Sequence, residues 1–195
     1  GGSWQNSDET VRQAKRTVVE SGALLDASAG DIGDGGEIVV WSDIYSSDSV
    51  TEVGGSLLAN GGSLGGNGGR IETSGAILSH DPDINVEASA VEGVAGLWLQ
   101  DPYNYTINSA PATTISNTLD SGTSVTISTA TDDTSLGSSG SASDVGNITL
   151  TSPISKTSGG SATLTFEADN DVLLNVFNRF QTSKLIKYYK EKIKI

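Results

Sequence analysis

A glycine pair followed two places on by isoleucine occurs twice in similar surroundings. Gly35-Gly36 precedes Ile38 in "GDGGEIVVWSD" (33–43), and Gly68-Gly69 precedes Ile71 in "GNGGRIETSG" (66–75). A short apolar stretch leads into each, "GALLDAS" (22–28) and "GSLLANG" (55–61), so Leu24 to Ile38 and Leu57 to Ile71 read as the same fourteen-residue step. The repeating unit therefore reads as two strands. Weaker copies follow: "DINVEAS" with "GLWLQDP" over 83–102, "TSVTIST" with "GNITLTSP" over 123–153, and "ATLTFEAD" with "DVLLNV" over 162–176. Short strands recurring between Gly, Ser, Asn and Asp turns mark a solenoid, whose units must stack because one alone cannot bury its apolar face.

The turn residues fit that reading. Glycine pairs permit positive φ at tight corners, and Asp34 and Asn67 beside them tolerate the left-handed region. Alternation then sorts the strands. Ile38 and Val40 face one way, with Glu37, Val39 and Trp41 the other; Ile71 and Thr73 face in, with Arg70 and Glu72 toward water; Ile148 and Leu150 face in. In "GLWLQD" two registers compete: counting from Gly96 points Trp98 and Gln100 inward, whereas hydrophobicity points Leu97 and Leu99 inward. At about 4.8 Å per rung and roughly 20 to 25 residues per rung, residues 22–177 predict a rod of roughly seven rungs, about 35 Å long, with sheet edges at both ends.

Composition narrows the class. The 195 residues include 24 glycines and no cysteine or methionine, and only 6% are aromatic. That is a poor recipe for a helical bundle and points to all-β structure. The formal charge of −13 argues against nucleic acid as a partner, because phosphate binding draws on lysine and arginine. Five of the eleven basic residues (Arg12, Lys15, Arg16, Arg70, Lys156) fall within residues 1–177, and the rest lie in the final stretch. The absence of cysteine fits a chain that uses no disulfides, exported or cytosolic. No apolar run is long enough to span a membrane, and "GGSWQNSDET" lacks the features of a signal peptide.

At this point the residues carry a resemblance. "GGSWQ", "GALLDASAGDIGDGGEIVVWSD", "GSLLANGGSLGGNGGRIETSG", "LWLQDPYNYTI", "TISNTLDSGTSVTIST", "GNITLTSPI" and "ATLTFEADNDVLLN" look like consecutive blocks of the large exoproteins of the filamentous haemagglutinin type, secreted by the two-partner route in Gram-negative bacteria. The resemblance runs from Gly1 to about Val176, and its most telling block is "GDGGEIVVWSD" together with "DPYNYTI". It implies a right-handed parallel β-helix, an outer-membrane transporter as export partner through a region outside this chain, and a role as a structural shaft segment of a surface adhesin. Receptors or glycans on host or neighbouring cells are the implied targets, and the implied location is secreted or at the cell surface.

The chain departs from this pattern after Val176. Residues 178–195 carry six basic side chains and no glycine. Ile186, Tyr189 and Ile193 have helical spacing, which allows a basic amphipathic helix at an anionic membrane. A non-β tail produced by a frameshift, Lys, Ile, Tyr, Asn and Phe being read from A- and T-rich codons, is the plainer expectation, and with it a fragment or a decayed remnant of an adhesin gene. At the other end, Asn6 with Glu9 three places on predicts a short helical excursion near 7–15.

No residue is assigned a catalytic, cofactor-binding or metal role, and no cofactor is expected. His80 in "LSHDPD" reads as a solvated turn histidine. Asp26, Asp31, Asp34, Asp43 and Asp48 supply carboxylates of the kind that polysaccharide-cleaving β-helices use in pairs, but Asp43 aligns with Gly75 and Asp26 with Asn60 or Ala59, so no pair forms. The positions that a calcium-binding nonapeptide repeat fills with aspartate hold Glu37 or Arg70 and then isoleucine. Trp41, Tyr103 and Tyr105 read as packing against neighbouring rungs more than as sugar platforms. "NYT" (104–106) and "NIT" (147–149) match the glycosylation pattern, coincidentally in a bacterial chain. The chain is thus expected not to be an enzyme, with a polysaccharide-active β-helix as the alternative.

Overall fold

The computed structural model describes residues 2–7, 10–129, 146–175 and 186–188. Turn residues cut the chain into strands of two to five residues, which are stable only when stacked. β1 (Gly2–Ser3) and β2 (Asn6–Ser7) form an antiparallel pair. Three strands then recur in order. β3 (Arg16–Val19), β4 (Leu24–Asp26) and β5 (Glu37–Trp41) make a first tier; β6 (Val50–Val53), β7 (Ser56–Leu58) and β8 (Arg70–Ser74) a second; β9 (Ile77–His80), β10 (Asn85–Glu87) and β11 (Leu97–Asp101) a third. The fourth runs β12 (Tyr105–Ile107), helix α1 (Ser109–Asp120) and β13 (Ser124–Ser128). After it come β14 (Ile148–Leu150), β15 (Leu164–Glu167), β16 (Val172–Leu174) and β17 (Ile186–Tyr188).

Equivalent strands of successive tiers pair in parallel. One sheet has six strands in the order β5-β8-β11-β13-β15-β17, and three smaller sheets run β3-β6-β9, β4-β7-β10 and β12-β14-β16. The protein is therefore all-β and mostly parallel. Its core is built of rows. Ile38, Ile71, Trp98, Val125 and Leu164 stand in register across the large sheet, and all five are buried. The sequence unit of two strands was one short: β3, β6, β9 and β12 are a third member, partly polar and only three or four residues long, which leaves little alternation to detect. The steps from residue 38 to 71, 98, 125 and 164 are accordingly longer than the expected 20 to 25 residues.

The fourteen-residue step is also corrected. Leu25, not Leu24, pairs with Leu57, and Leu24 is 64% exposed. The second tier takes up one extra residue between Asn60 and Gly65: Ala29 N–H still bonds Asn60 O, while Gly33 N–H bonds Gly65 O. The glycine pairs act differently from the expectation too. Gly35, Gly36, Gly68 and Gly69 have no positive φ, and neither have Asp34 and Asn67. What they supply is room: a Cβ on Gly68 would overlap the Ala88 carbonyl oxygen and the Gly96 amide, both rigid backbone of the next tier.

Helix α1 was not anticipated. Asn108 caps it, its side chain accepting from Ala110 N–H at 3.2 Å, and Ala112, Ile115 and Leu119 fall on one buried face. It packs against β10 and β13, and so ends the β4-β7-β10 sheet by taking the place of its next strand. For that reason the blocks at 123–153 and 162–176 contain strands, as expected, but in a different pair of sheets from the earlier copies. Lys156 Nζ donates to Leu119 O at 2.7 Å at the helix C-terminus, complementing its dipole.

Both ends differ from expectation. The helical excursion near 7–15 is replaced by strand at Asn6–Ser7 and irregular chain over 10–15, where Val11, the one large apolar side chain, is 47% exposed and gives a helix no face to bury. In the tail, Ile186–Tyr188 is strand, not non-β: it adds to the edge of β15 in parallel, Ile186 beside Leu164, using backbone groups that edge leaves open. The remainder of 178–195 lies outside the described residues.

Gly68→Ala is expected to lower stability by roughly 2 to 3 kcal/mol, since neither opposing backbone group can move aside. Gly30→Ala, which meets open space, should stay within about 0.5 kcal/mol of the native chain; urea denaturation of both distinguishes a steric role from a general dislike of alanine in loops.

Candidate functional site

β11 settles its own register. Trp98 and Gln100 point inward and are fully buried, so the count from Gly96 is the right one. Leu99, on the opposite parity, is buried as well. The second interior row reads Val40, Thr73, Gln100, Ile127, Phe166, placing two polar side chains in mid-core. Trp98 Nε1 donates to Thr73 Oγ1 at 3.2 Å; Thr73 Oγ1 lies 3.3 Å from His80 Nε2; His80 Nδ1 lies 3.1 Å from the Tyr105 hydroxyl. The His80 ring also meets Trp98 edge-on, with centroids 5.1 Å apart. The Gln100 amide makes no hydrogen bond with its N or its O.

His80 is therefore a half-buried strand residue whose ring joins a polar chain, not a solvated turn histidine. Burial pushes its imidazole down to about 4 and pushes the Tyr105 phenol up. A neutral imidazole with so low a pKa is a weak base, and its neighbours are core side chains. What it does is join two sheets: β9 ends one and β12 begins another, and the His80–Tyr105 contact crosses the break.

The outer face of β5 and β8 carries a second arrangement. Glu72, expected to face water, is 1% exposed. Its Oε2 accepts from Gln5 N–H at 2.8 Å and its Oε1 from Ser74 Oγ at 2.9 Å. Burial raises its pKa; the Gln5 and Ser74 donors oppose the rise, as does the Trp41 indole, which makes no hydrogen bond by distance and angle yet favours the charged carboxylate; the Glu37 charge adds to it. Glu37 accepts from Trp4 N–H at 3.1 Å and pairs with Arg70 at 3.0 Å, and the Arg70 guanidinium sits 5.1 Å from the centre of the Trp4 ring. Two carboxylates of adjacent tiers thus share one turn of chain, a relation with no signal in the sequence because residues 4 and 5 lie far from both.

The aspartates singled out in the sequence are dispersed. Asp26 is exposed beside Leu58, not Asn60 or Ala59, and the Ser28 N–H at 2.9 Å holds its carboxyl below the usual range. Asp31 is exposed. Asp34 accepts from Asn67 N–H at 2.7 Å, and Asn67 in turn from Val94 N–H at 2.9 Å, so these two tie tiers together through their side chains. Asp43 accepts from Tyr45 N–H; Asp48 takes a hydrogen bond from Ser46 and one from Lys15. The two N-x-T matches have a structural role: Asn104 Oδ1 accepts from Asn147 N–H, and Asn147 Oδ1 from Asn170 Nδ2, each at 2.9 Å, which makes an asparagine ladder along one corner. Trp41 and Tyr105 are buried, and the Tyr103 hydroxyl donates to Ile44 O at 2.9 Å. Among the described residues no three His, Asp or Glu side chains converge on a point that could hold a metal ion.

The chain matches no protein-family model, and no curated protein sequence matches it.

Two predictions follow from the interior chain of polar groups. Unfolded histidine titrates near 6.5 and His80 near 4, so between these values the unfolded state takes up a proton that the folded state refuses. Its contribution, on the order of 3 kcal/mol, is complete above about pH 6.5 and is lost as pH falls toward 4. Thermal melts from pH 7 to 4 should show that slope in the native chain and a flatter one in His80→Gln. Gln100→Leu, which removes the orphaned amide without changing volume greatly, is expected to stabilise by about 1 to 2 kcal/mol in urea denaturation.

Proposed function

We propose that this chain is a structural shaft segment of a large secreted or surface-exposed bacterial adhesin of the filamentous haemagglutinin type, wound as a right-handed parallel β-helix. The observation that carries the reading is the in-register parallel stacking of repeated tiers at the very blocks that bear the resemblance: Ile38 of "GDGGEIVVWSD" stands on Ile71 of "GNGGRIETSG", and Ile71 on Trp98 of "LWLQDPYNYTI". Parallel strands need crossover connections, and those are right-handed in nearly all folds. On this reading the segment is not an enzyme. It holds adhesive loops away from the cell, its partners are an outer-membrane transporter and receptors or glycans of other cells, and its location is the Gram-negative cell surface or the medium.

A second reading, a polysaccharide-active β-helix, is favoured by one observation, the Glu37 and Glu72 carboxylates on neighbouring tiers with the buried one raised in pKa. The test is to incubate the purified chain with cells and with acidic polysaccharides. Binding without turnover supports the adhesin segment; release of reducing ends, abolished by Glu37→Gln and Glu72→Gln, supports the enzyme. A chain that gives no cooperative unfolding transition supports a decayed remnant.

A further inference from the structure

Residues 2–7 belong to none of the parallel ladders, yet they are bound to two tiers at once. The bonds come from successive backbone N–H groups, Trp4 to Glu37 and Gln5 to Glu72. Gln5 adopts φ 50°, the left-handed region that a glutamine enters only at a cost, and alternation of that kind turns neighbouring N–H groups to one side, as in the nests that cradle anions. The Trp4 ring also lies against the Arg70 guanidinium. Arg70 keeps its own ion pair with Glu37, so it does not need the turn to be neutralised.

We propose that residues 2–7 are a releasable strap across the outer face of β5 and β8, latched by the Trp4 and Gln5 N–H groups on the Glu37 and Glu72 carboxylates. The latch is polar, two backbone N–H groups on two carboxylates, and carries the strain of the Gln5 backbone. It therefore opens on its own, ahead of the stack. Opening returns Gln5 to an ordinary backbone conformation and bares Glu72 beside Glu37 and Arg70, which are exposed already, adding a carboxylate to a charged face. This holds whichever function the stack serves.

Hydrogen exchange of single amides in the full chain tests the strap. In the native sequence the Trp4 and Gln5 amides exchange at least about tenfold more slowly than in the free peptide GGSWQNS, and far faster than the Val125 amide, which is bonded to Thr163 O inside the stack. Glu72→Val, matching Val39 in the same row, brings the Gln5 amide to within about twofold of the peptide and leaves Val125 unchanged. Should that variant fold poorly, Glu37→Ala, on the exposed end of β5, does the same for the Trp4 amide. The proposal is overturned if the native amides match the free peptide, if they exchange as slowly as Val125, or if the substitution in a folded variant leaves its amide unchanged.

Discussion

The closeness of backbone to backbone between tiers is the constraint on which the rest depends. Parallel strands exchange hydrogen bonds at under 5 Å, and where the chain leaves one strand for the next the loops must keep that spacing without a ladder to hold it. At Gly35, Gly68, Gly69 and Gly96 it is kept by having no side chain, the carbonyl of a neighbouring tier lying where a Cβ would go. With the loops so fixed, Ile38, Ile71 and Trp98 fall in one row, and the interior fills itself. The alternation of strands is then a consequence of the loops as much as of the residues within the strands.

Polar side chains do in the corners what glycine does in the loops. Asp34 to Asn67 to Val94 on one side, and Asn104 to Asn147 to Asn170 on the other, run hydrogen bonds along the stack through side-chain oxygens. Helix α1 is the place where this regularity is broken and repaired. Its apolar face, Ala112, Ile115 and Leu119, covers the core where a strand is missing, and Asp120 is bound by the Thr157 and Ser158 N–H groups at 2.6 and 2.9 Å. Although burial of Asp120 works against its charge, those donors keep its pKa low, so the carboxylate holds the following chain against the helix end.

Much of this was legible in the sequence, for reasons that can be named. The Ile38–Ile71 register was readable because the same glycine pair precedes both, and Ile148 and Leu150 because their alternation is unbroken. Leu24 misled because two adjacent leucines offer two registers, and the extra residue that decides between them sits several positions downstream. Helix α1 carried a signal, an asparagine cap followed by apolar residues at 112, 115 and 119, which the surrounding β pattern outweighed. His80 and Glu72 carried none. Their burial is made by Tyr105 and Trp98 in one case and by Trp4 and Gln5 in the other, residues that only the folded chain brings near.

The break between β9 and β12 gives the stack a mechanical character that its regular parts lack. Only the large sheet bonds every tier to the next by a parallel ladder; between the third and fourth tiers helix α1 stands in for one strand, and at the β9–β12 face the His80–Tyr105 hydrogen bond and the bond from Tyr103 N–H to Ala76 O cross in place of a ladder. Tension would open the molecule first where ladders are missing, with β8, β11 and β13 as the hinge. Burial keeps His80 neutral until the pH falls toward 4, so only in acid would protonation weaken the side-chain part of that crossing.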